Sequence, residues 1–220
     1  MPRLAVILFA FVAVVSTHSF ARADGDPLVT CGSSLKLKHA STNHILTSQA
    51  VAYASGSGQQ SVTAILNEDG ETDTYWQIHG GVNAACARGV GVKHGDVIRL
   101  QHANTRAWLH SHAHRSPLSG NQEVSAYGND GMSDTGDHWI VEVTSGAGAA
   151  WERGKKVRFR HVDTGAYLQT HNMKYGRPIA GHQEVMGVAS ASGSNSVWMS
   201  AEGVYFPSDE ETRSAGKEDL

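Results

Sequence analysis

The sequence predicts an all-β protein, a β-trefoil built from three four-stranded repeats. Three observations predict it. Apolar and polar residues alternate with period two up to a histidine in three separate segments. Two unrelated markers keep one spacing across those segments. No stretch of ten residues or more carries a convincing amphipathic helix.

The segments are Leu35-Lys-Leu-Lys-His39-Ala-Ser-Thr42…Leu46, Ile98-Arg-Leu-Gln-His102-Ala-Asn-Thr105…Leu109 and Val157-Arg-Phe-Arg-His161-Val-Asp-Thr164…Leu168. Alternation up to the His marks a half-buried strand, and the short polar link to the Leu marks a turn into a second strand. A second block recurs as Gly58-Gln-Gln60-Ser-Val62, Gly120-Asn-Gln122-Glu-Val124 and Gly181-His-Gln183-Glu-Val185, and a late tryptophan as Trp76, Trp139 and Trp198. Successive His residues lie 63 and 59 positions apart, and so do the Trp residues.

In the second unit the strand candidates fall near 97–102, 107–112, 122–127 and 138–143, with Gly, Ser, Asn and Asp between them. The repeats span 27–81, 89–144 and 146–200, together one domain of about 27–206. One unit alone cannot bury its apolar face; closing three into a barrel with a hairpin cap removes exposed sheet edges. A three-bladed propeller falls below the usual blade number. The repeated Trp, Leu and Val positions are read as core. His39, His102 and His161 are read as a structural hydrogen-bonding layer.

The first 23 residues read as a signal peptide. Arg3 precedes an unbroken apolar run from Leu4 to Val15, and Ala21-Arg22-Ala23 supplies a small-x-small cleavage site. Twelve helical residues span about 18 Å, well short of a hydrocarbon core of about 30 Å. Cleavage removes Arg3 and Arg22, taking the net charge from −3 to −5. That balance has the wrong sign for general nucleic-acid binding. An oxidising lumen permits Cys31 and Cys86 to pair, closing a loop of about 55 residues worth roughly 4 kcal/mol; two buried free thiols are the alternative. No Asn-x-Ser/Thr sequon occurs.

No nucleophile elbow, His-Glu-x-x-His or phosphate-binding glycine loop is present, so no catalytic residue, cofactor or metal is expected. His110, His112 and His114 would share one face of a strand, but the other copies offer only Gln49 and His171 opposite His112. They are read as an exposed strand edge and loop. The loops before the Gly-x-Gln-x-Val blocks carry Tyr53, Arg115 with Pro117, and Tyr175 with Arg177 and Pro178. Aromatic and guanidinium groups beside flexible glycines suit stacking on sugar rings or gripping a peptide backbone, and these are the candidate ligand or partner loops.

The His-x-x-Thr-x-x-x-Leu block, the Gly-x-Gln-x-Val block and the late Trp resemble MIR motifs. Tyr53–Val62, Ser116–Ser125, Tyr175-Gly-Arg-Pro-Ile179 and Val29-Thr-Cys-Gly-Ser33 resemble the stromal cell-derived factor 2 family. The resemblance covers about residues 27–206. It implies a non-enzymatic protein of the endoplasmic-reticulum lumen that works with J-domain co-chaperones and the chaperone BiP. It also implies links to quality control of unfolded clients, their O-mannosylation by protein O-mannosyltransferases, and the unfolded-protein response. A carbohydrate-binding module is the alternative function. The chain departs from the family at Lys217-Glu218-Asp219-Leu220, where the two acids of a Lys-Asp-Glu-Leu retrieval signal are exchanged. A receptor reading charge and the terminal carboxylate would tolerate the exchange. Otherwise residues 207–220 are a flexible acidic tail, and the protein is secreted.

Overall fold

The computed structural model describes residues 28–66, 72–191 and 193–208. The proposed signal peptide and Lys217–Leu220 lie outside them. Twelve strands form in chain order: β1 Ser34–His39, β2 His44–Ala52, β3 Gln60–Leu66, β4 Tyr75–Gly80, β5 Val97–His102, β6 Trp108–Arg115, β7 Gln122–Tyr127, β8 Trp139–Val143, β9 Lys156–His161, β10 Tyr167–Lys174, β11 Gln183–Val188 and β12 Trp198–Val204. A short 3-10 turn at Thr135–Asp137 precedes β8. No described helix is long and apolar enough to cross a membrane.

The pairing is that of a β-trefoil. Strands β1, β4, β5, β8, β9 and β12 close an antiparallel ring, each paired with the next and β12 with β1. The other six make three hairpins, β2–β3, β6–β7 and β10–β11. Their second strands β3, β7 and β11 pair with one another in a triangle that caps the barrel. Closure of ring and triangle leaves neither set with a free edge of its own.

The alternating residues pack as the pattern requires. Leu35, Leu37, Ile98, Leu100, Val157 and Phe159 are buried from the first strand of each repeat, and Leu46, Leu109 and Leu168 from the second. Val62, Val124 and Val185 close the cap, and Trp76, Trp139 and Trp198 are fully buried. Trp151, which belongs to no repeated block, joins the same core from the connection between β8 and β9.

The hairpins run longer than expected. The strand expected at 107–112 extends to Arg115, because pairing resumes beyond an irregularity with Arg115 opposite Gln122. The same break and resumption occur between Ser48 and Ala52, and between Thr170 and Lys174. Cys31 and Cys86 form a disulfide with Cα atoms 5.9 Å apart, which sets aside the free-thiol alternative. It ties the segment before β1 to the β4–β5 connection. Bridges from Leu28 to Glu152 and from Thr30 to Gly91 fix that segment further.

Candidate functional site

The three repeated histidines sit at the joints between repeats. Trp76 packs on His102, Trp139 on His161 and Trp198 on His39, with ring centroids 5.0, 4.9 and 5.1 Å apart. Each indole N–H donates to a carbonyl of its own repeat: Trp76 to Leu46 at 3.1 Å, Trp139 to Leu109 at 2.9 Å and Trp198 to Leu168 at 3.0 Å. Each Trp is therefore anchored at home and packed, with its ring tilted, on the His of the next repeat, and the three contacts close a circle.

Hydrogen bonds run through the same joints. Nδ1 of His39, His102 and His161 lies 2.9 Å from Oγ1 of Thr42, Thr105 and Thr164 respectively. Nε2 of His39 donates to Asn195 O and that of His161 to Gly136 O, both at 2.9 Å. A carbonyl only accepts, so these Nε2 atoms carry the proton, and a neutral ring takes the Thr hydroxyl at Nδ1. His102 Nε2 has only the Asp73 backbone opposite it, outside good hydrogen-bond geometry. Gln60 and Gln122 donate to Thr105 and Thr164 of the following repeat, each at 2.8 Å. Burial lowers the pKa of all three imidazoles and keeps them neutral.

A second recurring set holds two buried carboxylates. Glu123 accepts from Ser57 N at 3.3 Å, from Ser57 Oγ and from His112 Nε2 at 3.1 Å. Glu184 accepts from Ser119 N at 3.2 Å, Ser119 Oγ at 3.0 Å, Ser116 Oγ and His171 Nε2. In each case the acid of one repeat clamps the cap loop of the repeat before it. Gly56 makes room for the first clamp. Its φ is +79°, and a Cβ there would sit 2.0 Å from Glu123 Oε2. Burial raises the pKa of Glu123, but the bonds from His112 and Ser57 outweigh it and hold the carboxyl below its ordinary value. Glu123→Gln is expected to cost about 1–3 kcal/mol, because Ser57 or His112 loses its acceptor. Urea denaturation at pH 7 checks this.

The expectation for His110, His112 and His114 needs correction. His110 is only 6% exposed, because the 3-10 turn at Thr135–Asp137 packs over its ring and Tyr127 lies against it. Its Nδ1 is 2.9 Å from Asp137 Oδ1 and 3.7 Å from Asp134 Oδ1. His112 is engaged by Glu123, and His114 alone of the three is exposed, its ring 4.5 Å from that of His112. His110, Asp134 and Asp137 bring three ligand atoms within 4.8 Å of one another, a nitrogen and two oxygens that match a divalent cation in type. The fold already uses them: Asp137 Oδ2 accepts from Ser133 Oγ at 2.7 Å and Asp134 N at 3.0 Å, and Asp134 Oδ1 accepts from Gly136 N at 2.9 Å. These bonds cap the 3-10 turn.

Five of the six candidate loop residues converge. Tyr53, Pro117, Tyr175, Arg177 and Pro178 line one cavity of about 150 Å³ at the cap, to which all three repeats contribute. Tyr53 and Tyr175 stand 5.9 Å apart across it. Tyr53 is 6% exposed, and its hydroxyl is spent inside the cap, 2.8 Å from Val62 O and 3.0 Å from Val124 O. It gives the cavity a wall, whereas exposed Arg177, Pro117 and Pro178 form the mouth. Arg115 lies apart and donates to Gly120 O at 2.9 Å across its own loop.

Sequence reasoning missed the carboxylate clamps. Their signal was a glutamate in two of three Gly-x-Gln-x-Val blocks, paired each time with a histidine on the preceding strand.

A family model for the MIR domain matches residues 53–147. The chain is 42% identical to stromal cell-derived factor 2-like protein 1 of Homo sapiens over 215 residues, 98% of this chain and 95% of that protein. It is similar to the crystal structure of the SDF2-like protein from Arabidopsis thaliana, with 45% identity and a TM-score of 0.79 over 83% of this chain and 99% of that one. It is also similar to part of the S. cerevisiae protein O-mannosyltransferase Pmt1-Pmt2 complex bound to the sugar donor. There the identity is 25% and the TM-score 0.71, over 91% of this chain and 31% of that one.

Proposed function

Because the chain belongs to the stromal cell-derived factor 2 family, we propose that it is a non-enzymatic interaction module of chaperone complexes in the endoplasmic-reticulum lumen. It assists protein quality control and the unfolded-protein response together with a J-domain co-chaperone and a BiP-type chaperone. A protein O-mannosyltransferase is a further partner, and unfolded chains are the clients. The observation that carries this reading is the cap cavity, where loops of all three repeats meet around Tyr175, Arg177 and two prolines. A rigid scaffold presenting converging loops of different sequence suits one asymmetric partner better than three equivalent sugars. The buried acids and the repeated histidines are engaged in holding the fold, which favours binding over chemistry. The disulfide supports a luminal address.

The test is affinity purification of the full chain from the lumen, before and after replacement of the cavity mouth by Arg177→Glu with Pro117→Ser. Recovery of a J-domain protein and BiP by the native chain, reduced at least about tenfold in the variant and unaffected by free mannose, is the expected result. Recovery abolished by free mannose, with saturable binding on a glycan array, would replace this reading by the carbohydrate-binding one.

A further inference from the structure

The three repeats differ in concert at one point. The second and third each carry a glutamate on the block strand, Glu123 and Glu184, and a histidine facing it, His112 and His171. A serine from the preceding cap loop, Ser57 or Ser119, completes the clamp. In the first repeat all three are changed. The block strand has Ser61, the facing strand Gln49, and the preceding loop, which comes from the third repeat, Ala180. Acid, base and hydroxyl disappear together, while the neighbouring contact survives: Thr63 bonds His182 at 2.8 Å where Ser125 bonds Gln59 at 2.5 Å.

A cavity of about 270 Å³ lies at this third position. Gln49, Ala180, Gly181 and His182 line it, with Lys174 and His44 beside them, and none of the described residues lining it is acidic. His44 directs its Nδ1–H to Thr42 O at 3.0 Å, which orients the ring. The fold therefore repeats the strand-and-loop frame of the clamp three times but supplies its own carboxylate twice, and the third position has an open cavity instead. At the third position it offers the Gln49 amide and the Lys174 ammonium, which match a carboxylate in hydrogen-bonding type and charge.

We propose that this cavity is a binding site for a carboxylate from outside the chain, the acidic side chain of a partner segment. It lies on the other side of the 175–182 loop from the cap cavity, since residues 175–179 line one and 180–182 the other. It does not depend on the cap cavity binding anything.

The experiment is amide NMR of the mature protein titrated with N-acetyl-glutamate N-methylamide, with the glutamine analogue and inorganic phosphate as comparisons. Saturable shifts confined to the amides around Gln49, Gly181 and His182 are expected with the glutamate probe and not with the glutamine one. Ser61→Glu restores an internal acid and should abolish them. Lys174→Gln, which removes the charge of an exposed side chain and leaves the backbone pairing to Gln183 in place, should weaken binding by about tenfold. Equal shifts with the glutamine analogue, undiminished binding in Ser61→Glu and Lys174→Gln, or phosphate acting as strongly as glutamate would each overturn the proposal.

Discussion

Trp139→Ala is expected to cost about 3–5 kcal/mol, a large part of the 5–15 kcal/mol that keeps a domain folded. The indole is fully buried, so truncation leaves a cavity in the barrel as well as losing transfer free energy. It strands the Leu109 carbonyl, which accepts the indole N–H at 2.9 Å. It also removes the surface on which His161 packs, 4.9 Å away, and with it the joint between the second and third repeats. Trp139→Phe keeps an aromatic wall and loses the N–H with part of the volume, and should cost less than half as much. Urea denaturation followed by near-ultraviolet circular dichroism measures both. A loss below about 1 kcal/mol for Trp139→Ala would place it among ordinary surface changes and would show that the joints do not hold the ring of repeats together.

The circle of joints explains how much could be read from sequence. His39, Thr42, Leu46 and Trp76 recur because each repeat meets its neighbour through the same atoms, so a fixed spacing of markers implied a closed threefold fold. Trp151 was not legible as core, since it has no counterpart in the other repeats and fills space left by the linker. Arg115 and Arg177 looked alike as loop guanidiniums, yet one closes its own loop and the other faces the cavity. Arg115 is the last residue of β6, whereas Arg177 lies within the connection from β10 to β11. His110 was misread because alternation along one strand does not show what packs over it; the 3-10 turn before β8 lays Gly136 and Asp137 against the ring.

Symmetry and its breaking also sort structural from functional positions. Where the three copies agree, the barrel and cap demand it. Where two agree and the third departs in three coordinated places, as at Ser61, Gln49 and Ala180, the fold has released a position that the other two need. The cap cavity follows the same logic, since its lining residues come from loops that share a place but not a sequence.

Acid should destabilise the protein in two stages, beginning near neutrality. His39, His79, His102 and His161 all have pKa values lowered by burial. Above about pH 6.5 these rings are neutral in both the folded and unfolded chain, and they give no pH dependence. As the pH falls below that value the unfolded chain takes up protons that the folded one still refuses, so stability is lost. Each histidine contributes up to about 1.4 kcal/mol per pH unit until its lowered folded pKa is reached. Glu123 acts in the second stage. Its folded pKa is depressed, so its contribution is complete above the unfolded value of about 4.3 and disappears as the pH drops through the folded value. The urea midpoint is therefore expected to be flat from pH 8 to 7, to fall steeply between 6.5 and 5, and to fall again below 4.3. His79→Leu isolates one proton. The His79 Nε2 is buried without a partner and the ring packs edge-on to Trp108, so an apolar replacement removes an unsatisfied atom and one titrating group together. The variant should hold its midpoint at pH 7 and lose it less steeply between 6.5 and 5. A native midpoint that does not change across that interval would mean that the buried imidazoles protonate in place, and that the joints between repeats accept charged rings.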